Sequence, residues 1–370
     1  MNKKQAILAG NISVDISPVF TAGISSSFAD IIHPGKITHI EGNEIHPGGS
    51  TANTGLAMSI FGIEPVISAC IGDDDFGEML RSMIVSRAGD GAADGLVKVK
   101  DSYTAYSIIM SAPGLDRAIL QNPGANDEYT GDEISAEIMS ACSLLHFGHP
   151  SSMRRIYSNN GEKLQRLMKR GNNSGLVTSL DLCAIDPASE AAAQNWPEVL
   201  AKVLPEVDFF VPSAEELCSI IDPALYADWQ RRAAEQHQDL TDILSMDAEI
   251  MLLAEKAAEL GAGSVLIKCG KQGMYLRTGD RRRIAAVETK LELPAGSMSA
   301  WSGKSLIENA VKAEKEASGL GAGDTSIAAF LSGMLRGMTP EECLYTAVRE
   351  GARCVTAFDA ISGLVPFERL

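Results

Sequence analysis

From about residue 132 onward, apolar and polar positions along this chain change period at regular intervals. Helical spacing at about 132–142 gives way to a short apolar run, Leu144 to Phe147. The switch repeats, with a helix at about 151–170 before Leu176 to Leu182 and a helix at about 188–203 before Val207 to Val211. Met251 to Leu260 predicts another helix, and Val265 to Ile267 and Met274 to Leu276 predict strands around the tight turn Gly270-Lys271-Gln272-Gly273. Near the N-terminus, Ala6 to Ala9 and Val66 to Ile71 read as buried strands. Helix–strand alternation of this kind predicts right-handed βαβ units and a mainly parallel sheet.

Three stretches break the alternation. Residues 18–46 mix Gly, Ser, Pro and His with short β-branched runs such as Ile37-Thr38-His39-Ile40, which predicts a strand excursion outside the main sheet. Tyr106 to Met110 and Arg117 to Gln121 predict a hairpin. Together, about 18–46 and 98–121 predict a small β lid over a site. Its open edges invite pairing with a second copy of the chain, through Ile37, Ile40, Ile108 and Leu120. Residues 277–317 show no clear period.

Two glycine-rich stretches run straight into helices. Pro47-Gly48-Gly49-Ser50-Thr51-Ala52-Asn53 opens one that carries Leu56, Ala57, Ile60 and Phe61 and stops at Gly62. Gly48 and Gly49 let a ligand touch backbone, and the Asn53 amide can donate to and accept from a polyol hydroxyl. Ser318-Gly319-Leu320-Gly321-Ala322-Gly323-Asp324-Thr325 opens the other, where Ile327, Phe330, Leu331 and Met334 mark one apolar face. Unpaired N–H groups and the positive dipole end there favour an anion. Asp324, at the mouth, is placed to take a proton from a hydroxyl that attacks a phosphate. Both stretches also fit plain helix caps. A dinucleotide fingerprint is excluded, because its third glycine is replaced by Asp324. Gly303-Lys304-Ser305 resembles the end of a Walker A loop, but Met298 stands where the first glycine belongs.

Asp15 comes soon after the first strand, and ligands in open α/β sheets gather at carboxyl ends of strands, so it is a substrate-side candidate. Asp73-Asp74-Asp75 reads as a turn with an acidic first helical turn, and His146 and His149 read as core or rim residues. Ser213 and Glu216 make a capping box, with a second role for Glu216 toward a metal's water shell left open. Thr339 to Glu342 makes another, with Pro340 at the first helical position.

Of the 370 residues, 45% are hydrophobic, enough for a packed core, and the length allows one large α/β domain or two smaller ones. A formal net charge of −16 argues against nucleic acid and anionic membranes as partners. Seven scattered cysteines with no C-x-x-C pair read as reduced thiols of a cytoplasmic protein, and neither a signal peptide nor a membrane span is expected.

Taken in order, Gly48-Gly49 with Asn53, Phe61-Gly62, Gly72 with Asp75-Phe76-Gly77, Asn122 to Asn126, Val265 to Gly273 and Gly321-Ala322-Gly323-Asp324 resemble the ribokinase-like (PfkB) carbohydrate and nucleoside kinases. The resemblance spans essentially the whole chain. It implies a single domain over 1–370, an α/β three-layer sandwich with a mainly parallel central sheet, helices on both faces and a small β lid. It implies ATP and Mg2+, and a small sugar as acceptor, with a nucleoside as the rival substrate and a non-catalytic sugar- or nucleotide-binding regulator as the rival class. By this similarity Asp324 is the base, and Gly321, Ala322 and Gly323 form the anion hole. Asp15, Gly48, Gly49 and Asn53 meet the acceptor; Lys268, Gly270 and Gly273 lie on the nucleotide side; Glu216 organises magnesium through water. The chain departs from the family pattern at Ser318-Gly319-Leu320, at Ser213 in place of Asn, and at Lys268 where Thr is common.

Overall fold

In the computed structural model, residues 5–20, 27–112, 115, 117–313, 319–357 and 359–367 are described. The strands in chain order are β1 (Gln5–Gly10), β2 (Ser13–Phe20), β3 (Ile40–Gly48), β4 (Glu64–Gly72), β5 (Leu96–Val99), β6 (Tyr106–Met110) and β7 (Ala118–Asn122). They continue with β8 (Leu144–Gly148), β9 (Val177–Leu180), β10 (Phe209–Phe210), β11 (Ser264–Lys268), β12 (Met274–Arg277) and β13 (Ser305–Glu308). Nine of them form the large sheet, in the order β13-β12-β11-β10-β9-β8-β1-β4-β5. The run from β5 to β11 is parallel, and β12 pairs antiparallel with both β11 and β13.

Successive side chains on a strand point to opposite faces, so each buried strand feeds two cores. Ile7, Ala9, Leu145, Phe147 and Ile267 join one core, under the helices Arg154–Asn173, Trp196–Val203, Ala214–Ile221 and Met251–Glu259. Ala6, Leu8, Leu144 and Leu266 join the other, under the helices Gly49–Ile60, Ala322–Leu335 and Pro340–Cys354. The three-layer arrangement implied by the resemblance, with the mainly parallel sheet expected from the alternation, is therefore present. The helix Ala322–Leu335 exceeds its one-faced pattern, since every residue from Asp324 to Leu335 is buried.

The second sheet has the order β3-β2-β6-β7 and is separate from the first. It differs from the expected lid boundaries at two places. Lys98 and Val99 lie on β5, paired parallel with β4 in the large sheet, so the later arm begins at Tyr106. The earlier arm begins at Ser13, which puts Asp15 inside the small sheet. Residues 21–26, 113, 114 and 116, within the expected lid, lie outside the described residues. Asn126 fastens the junction between the two sheets. Its side chain accepts from the Ile12 amide at 3.0 Å and donates to the Ile12 carbonyl at 2.9 Å.

Elsewhere the expectations shift for local reasons. The helix expected at 188–203 starts only at Trp196, because Pro197 suits a first helical turn and no later position. The helix Arg154–Asn173 is interrupted at Ser158–Gly161, where Asn159 and Asn160 are left-handed. Residues 277–317, read as aperiodic, contain the helix Arg281–Lys290 and strand β13.

Candidate active site

The two glycine-rich helix starts meet at the carboxyl ends of the parallel strands. Asn53, one turn into the helix Gly49–Ile60, donates from Nδ2 to Oδ2 of Asp324 at 2.9 Å, and both side chains are buried. Gly321 caps the second helix at φ 74°, a conformation that favours glycine. A Cβ there would stand 2.3 Å from Cβ of Ala360 and 3.5 Å from Nδ2 of Asn53, so only glycine fits. Among the described residues no side chain is seen to cap the first turn of this helix, and Ala322 and Gly323 line a cavity. Ser318, at the head of the motif, lies outside the described residues.

Asp15, Gly48 and Gly49, expected on the acceptor side, fall together. Asp15 on β2 is opposite His46 on β3 and Ser107 on β6. Oδ1 of Asp15 accepts from Ser13 Oγ at 2.8 Å. Burial holds the Asp15 carboxyl above the ordinary carboxylate value, against the opposing hydrogen bonds from Ser13 and Ser107. Gly48 is bare because a Cβ would sit 2.1 Å from that carboxylate. Gly49 starts its helix against the Asn11 backbone. Asn11, not singled out from the sequence, accepts at Oδ1 from the Ser50 amide (3.1 Å) and hydroxyl (2.9 Å).

On the other side, a cavity of about 810 Å³ is lined by Lys268, Gly270, Gly273, Ala322 and Gly323, with Arg117 reaching it from the small sheet's hairpin. The hairpin therefore borders this cavity as well as the surroundings of Asp15. Lys268, the last residue of β11, is bound by both carboxylate oxygens of Asp181, at 2.8 and 2.9 Å. Asp181 directly follows β9 and is buried. Burial lowers the Lys268 pKa, but the Asp181 and Glu216 carboxylates outweigh it and hold the ammonium above its usual value. Glu216 forms the expected capping box: Oε2 accepts from the Ser213 amide at 2.9 Å, and Ser213 Oγ accepts from the Glu216 amide at 3.3 Å.

His149 enters the site unannounced. One ligand atom each of His149, Asp181 and Asp324 lie within 4.8 Å of one another. No spacing rule could have found this, because His149 sits after a strand in a left-handed turn. His146 is a core residue as expected, with Nδ1 3.0 Å from Ser179 Oγ and its pKa pushed down to about 3 by burial and by Lys268 and His149. Asp74 caps its helix through the Gly77 amide at 2.8 Å, and Asp73 pairs with Lys98 at 3.0 Å.

The model for the pfkB family carbohydrate kinases matches residues 11–366. An uncharacterised sugar kinase of Archaeoglobus fulgidus is 24% identical over 84% of this chain and 98% of that protein. Among solved structures, Arabidopsis thaliana ribokinase complexed with ribose and ATP superposes with a TM-score of 0.68 at 19% identity, over 99% of this chain and 96% of that one. A structure from E. coli in complex with ATP and Mg2+ has the same TM-score of 0.68 at 18% identity, over 99% of this chain and 97% of the other. Among the described residues, no helix is long and apolar enough to cross a membrane.

Proposed function

Because the chain belongs to the pfkB family of carbohydrate kinases and is thereby a sugar kinase, we propose that it moves the γ-phosphoryl of ATP to a primary hydroxyl of a small neutral sugar, with Asp324 as base. The observation that carries this reading is the 2.9 Å bond from Asn53 to Asp324, which joins the polyol-binding helix to the anion-binding one. Asp15, Gly48, Gly49 and Asn53 hold the acceptor. Asp324 takes the hydroxyl proton as the new O–P bond forms. The amides at Gly321, Ala322 and Gly323 stabilise charge on the transferred group, and ADP leaves with the electron pair of the broken bond. Gly270 and Gly273 border the nucleotide, and the small sheet excludes water that would otherwise accept the phosphoryl group.

The donor set fits a magnesium ion. Asp181, Glu216 and Asp324 bring three carboxylates to one ammonium, Lys268, at a site that receives a polyphosphate. Among the described residues Oε1 of Glu216 carries no hydrogen bond, and through water it would hold the ion, which neutralises phosphate charge when bound.

Charge supports a neutral acceptor. Asp15 and Asp324 face it; of the cations at that wall, His46 lies 3.1 Å from Glu44 and 3.6 Å from Asp359, and Arg87 stands at the rim of the small pocket beside Asn53. A carboxylate or phosphate on the acceptor would be repelled there. The nucleoside reading needs an aromatic wall from Phe20, Phe28 and Tyr106, but Tyr106 already packs edge-on against Phe76 at 5.8 Å. ATP turnover over a panel of pentoses, hexoses, sugar acids and nucleosides tests the proposal. Turnover with a neutral sugar is expected; turnover confined to nucleosides or sugar acids would overturn it.

A further inference from the structure

Two largely buried lysine–aspartate pairs sit at the large sheet, one across strand ends and one from the helix Arg281–Lys290, and they are built differently. In the pair Lys290–Asp208, at 2.6 Å, the aspartate is also knitted to the backbone, accepting from the Thr178 amide at 2.9 Å. That pair behaves as a structural tie. In the pair Lys268–Asp181, both carboxylate oxygens go to the ammonium, and among the described residues Asp181 has no other side-chain hydrogen bond. Its neighbours are His149 and Asp324, which belong to the site.

The ammonium of Lys268 also lies against the anion hole. Its side chain runs along the bare Cα of Gly323: a Cβ there would be 3.6 Å from Nζ, 3.7 Å from Cδ and 3.8 Å from Cε. Lys268 and Gly323 line the same cavity. A phosphoryl group seated on the Gly321–Gly323 amides therefore touches this ammonium. A fixed charge in a dry site, already oriented, stabilises developing negative charge with no reorganisation during the reaction.

We propose that Lys268 is a catalytic residue that meets the transferring phosphoryl group, and that Asp181 is the positioning residue that aims it. This rests on the kinase reading above and deepens it. The acceptor oxygen bonds to phosphorus, the bond from phosphorus to the ADP oxygen breaks, and the acceptor proton passes to Asp324. Lys268 keeps its own proton throughout. An arginine in this place would be longer and forked, so the two cations are not interchangeable here.

Removing only the lysine strands a buried carboxylate and endangers the fold. The test therefore uses the double variant Lys268→Met/Asp181→Asn, with Lys290→Met/Asp208→Asn as the structural control. Affinities for ADP and for a non-hydrolysable ATP analogue are measured by calorimetry, next to melting temperature and turnover with the best sugar of the panel. The expected result is a selective loss in the first variant: kcat falls roughly 10²–10³-fold and the analogue binds about tenfold or more weakly, while ADP affinity holds. The control loses stability without that selectivity. Equal loss of ADP and analogue affinity, or turnover close to the parent's, would overturn the proposal. The titration needs no acceptor, so it decides the role of Lys268 even where the sugar assignment fails; a parent enzyme inactive on the whole panel speaks against the sugar assignment alone.

Discussion

Two helices of this molecule start beside a left-handed glycine, Gly49 at φ 80° and Gly321 at φ 74°. Each glycine is wedged where a Cβ would collide, with Asn11 backbone in one case and Ala360 in the other. The first helical turns differ. At Gly49 the turn is filled by the protein: Asn11 takes the Ser50 amide on its side chain, and its carbonyl takes the Thr51 amide at 3.2 Å. At Gly321 no side chain is seen to cap the turn among the described residues. A helix start has several donors with no internal partner, and the start proposed here as the anion hole is the one left unfilled next to a cavity. Glycine content alone does not distinguish the two ends; the presence or absence of Asn11's counterpart does.

The sharpest way to break this comparison is at the base. Asp324→Asn is expected to lower kcat roughly 10²–10⁴-fold, with melting temperature and acceptor affinity nearly kept. Near-normal turnover in a folded variant would remove the assignment. Next come the two helix starts themselves. Gly321→Ala should cut kcat by roughly 10²-fold, because the left-handed turn and the Ala360 contact must both give way. Asn11→Ala should act on the fold instead, costing about 0.5–2 kcal/mol of stability as a lost cap does. Thermal melts and initial rates on both variants check this, and a loss of kcat at Asn11 as large as at Gly321 would erase the distinction.

A smaller effect sharpens the acceptor side. Asn53→Ala and Asp15→Ala each remove a hydrogen bond of about 0.5–1.5 kcal/mol, so the acceptor KM should rise several-fold while the ATP KM stays. If the ATP KM moves instead, the two sides of the site are interchanged. Asp15 adds a pH signature. Burial raises its carboxyl above the unfolded value, so the stability it contributes is full in acid and is lost as pH rises through its folded value. Asp15→Asn should therefore melt higher than the parent at neutral pH, with the gain shrinking in acid; a gain independent of pH would contradict the burial argument.

On the nucleotide side, Ser213→Ala removes half of a capping box and Glu216→Gln removes a charge. Only the second should raise the magnesium concentration needed for half-maximal rate, and an equal rise in both would reduce Glu216 to a cap. The smallest signal concerns assembly. β3 and β7 are the outer strands of the small sheet, and Ile37 (86% exposed), Ile40 and Leu120 lie open around them. Sedimentation at micromolar concentration is expected to give a dimer; a fully active 39.3 kDa monomer would refute it.

The parts legible in the sequence were those with short-range signatures. The helix after Asp324 announced itself through four apolar positions, and Ser213 and Thr339 announced their caps. The helix Arg281–Lys290 did not, because it opens with three arginines and buries only Ile284, Val287 and Glu288, too thin a stripe to show a period. Strand β13 is an edge strand with alternate residues exposed, so it carries little apolar signal. The site's charge pairing was invisible for another reason. Lys268 and Asp181 lie 87 residues apart on strand ends separated by β10, and pairing of that kind is a property of sheet order. The same holds for Asn11 and Asn126, whose roles depend on partners 39 and 114 residues away.

The bond between Asn53 and Asp324 spans 271 positions of chain. Gly321 is in turn seated on Ala360, and Thr325 donates to the Ala360 carbonyl at 2.9 Å, so the helix start that carries Asp324 leans on a stretch near the last described residues. Synthesis at about 5–20 residues per second, with early segments folding first, separates the two partners in time by on the order of tens of seconds. During that interval the nascent chain has Asn53 without its partner Asp324, the proposed base. With Asp324 as the proposed base, phosphoryl transfer therefore waits on the segment around Ala360, and a chain clipped before that segment would keep the proposed acceptor residues while its proposed base lacks support.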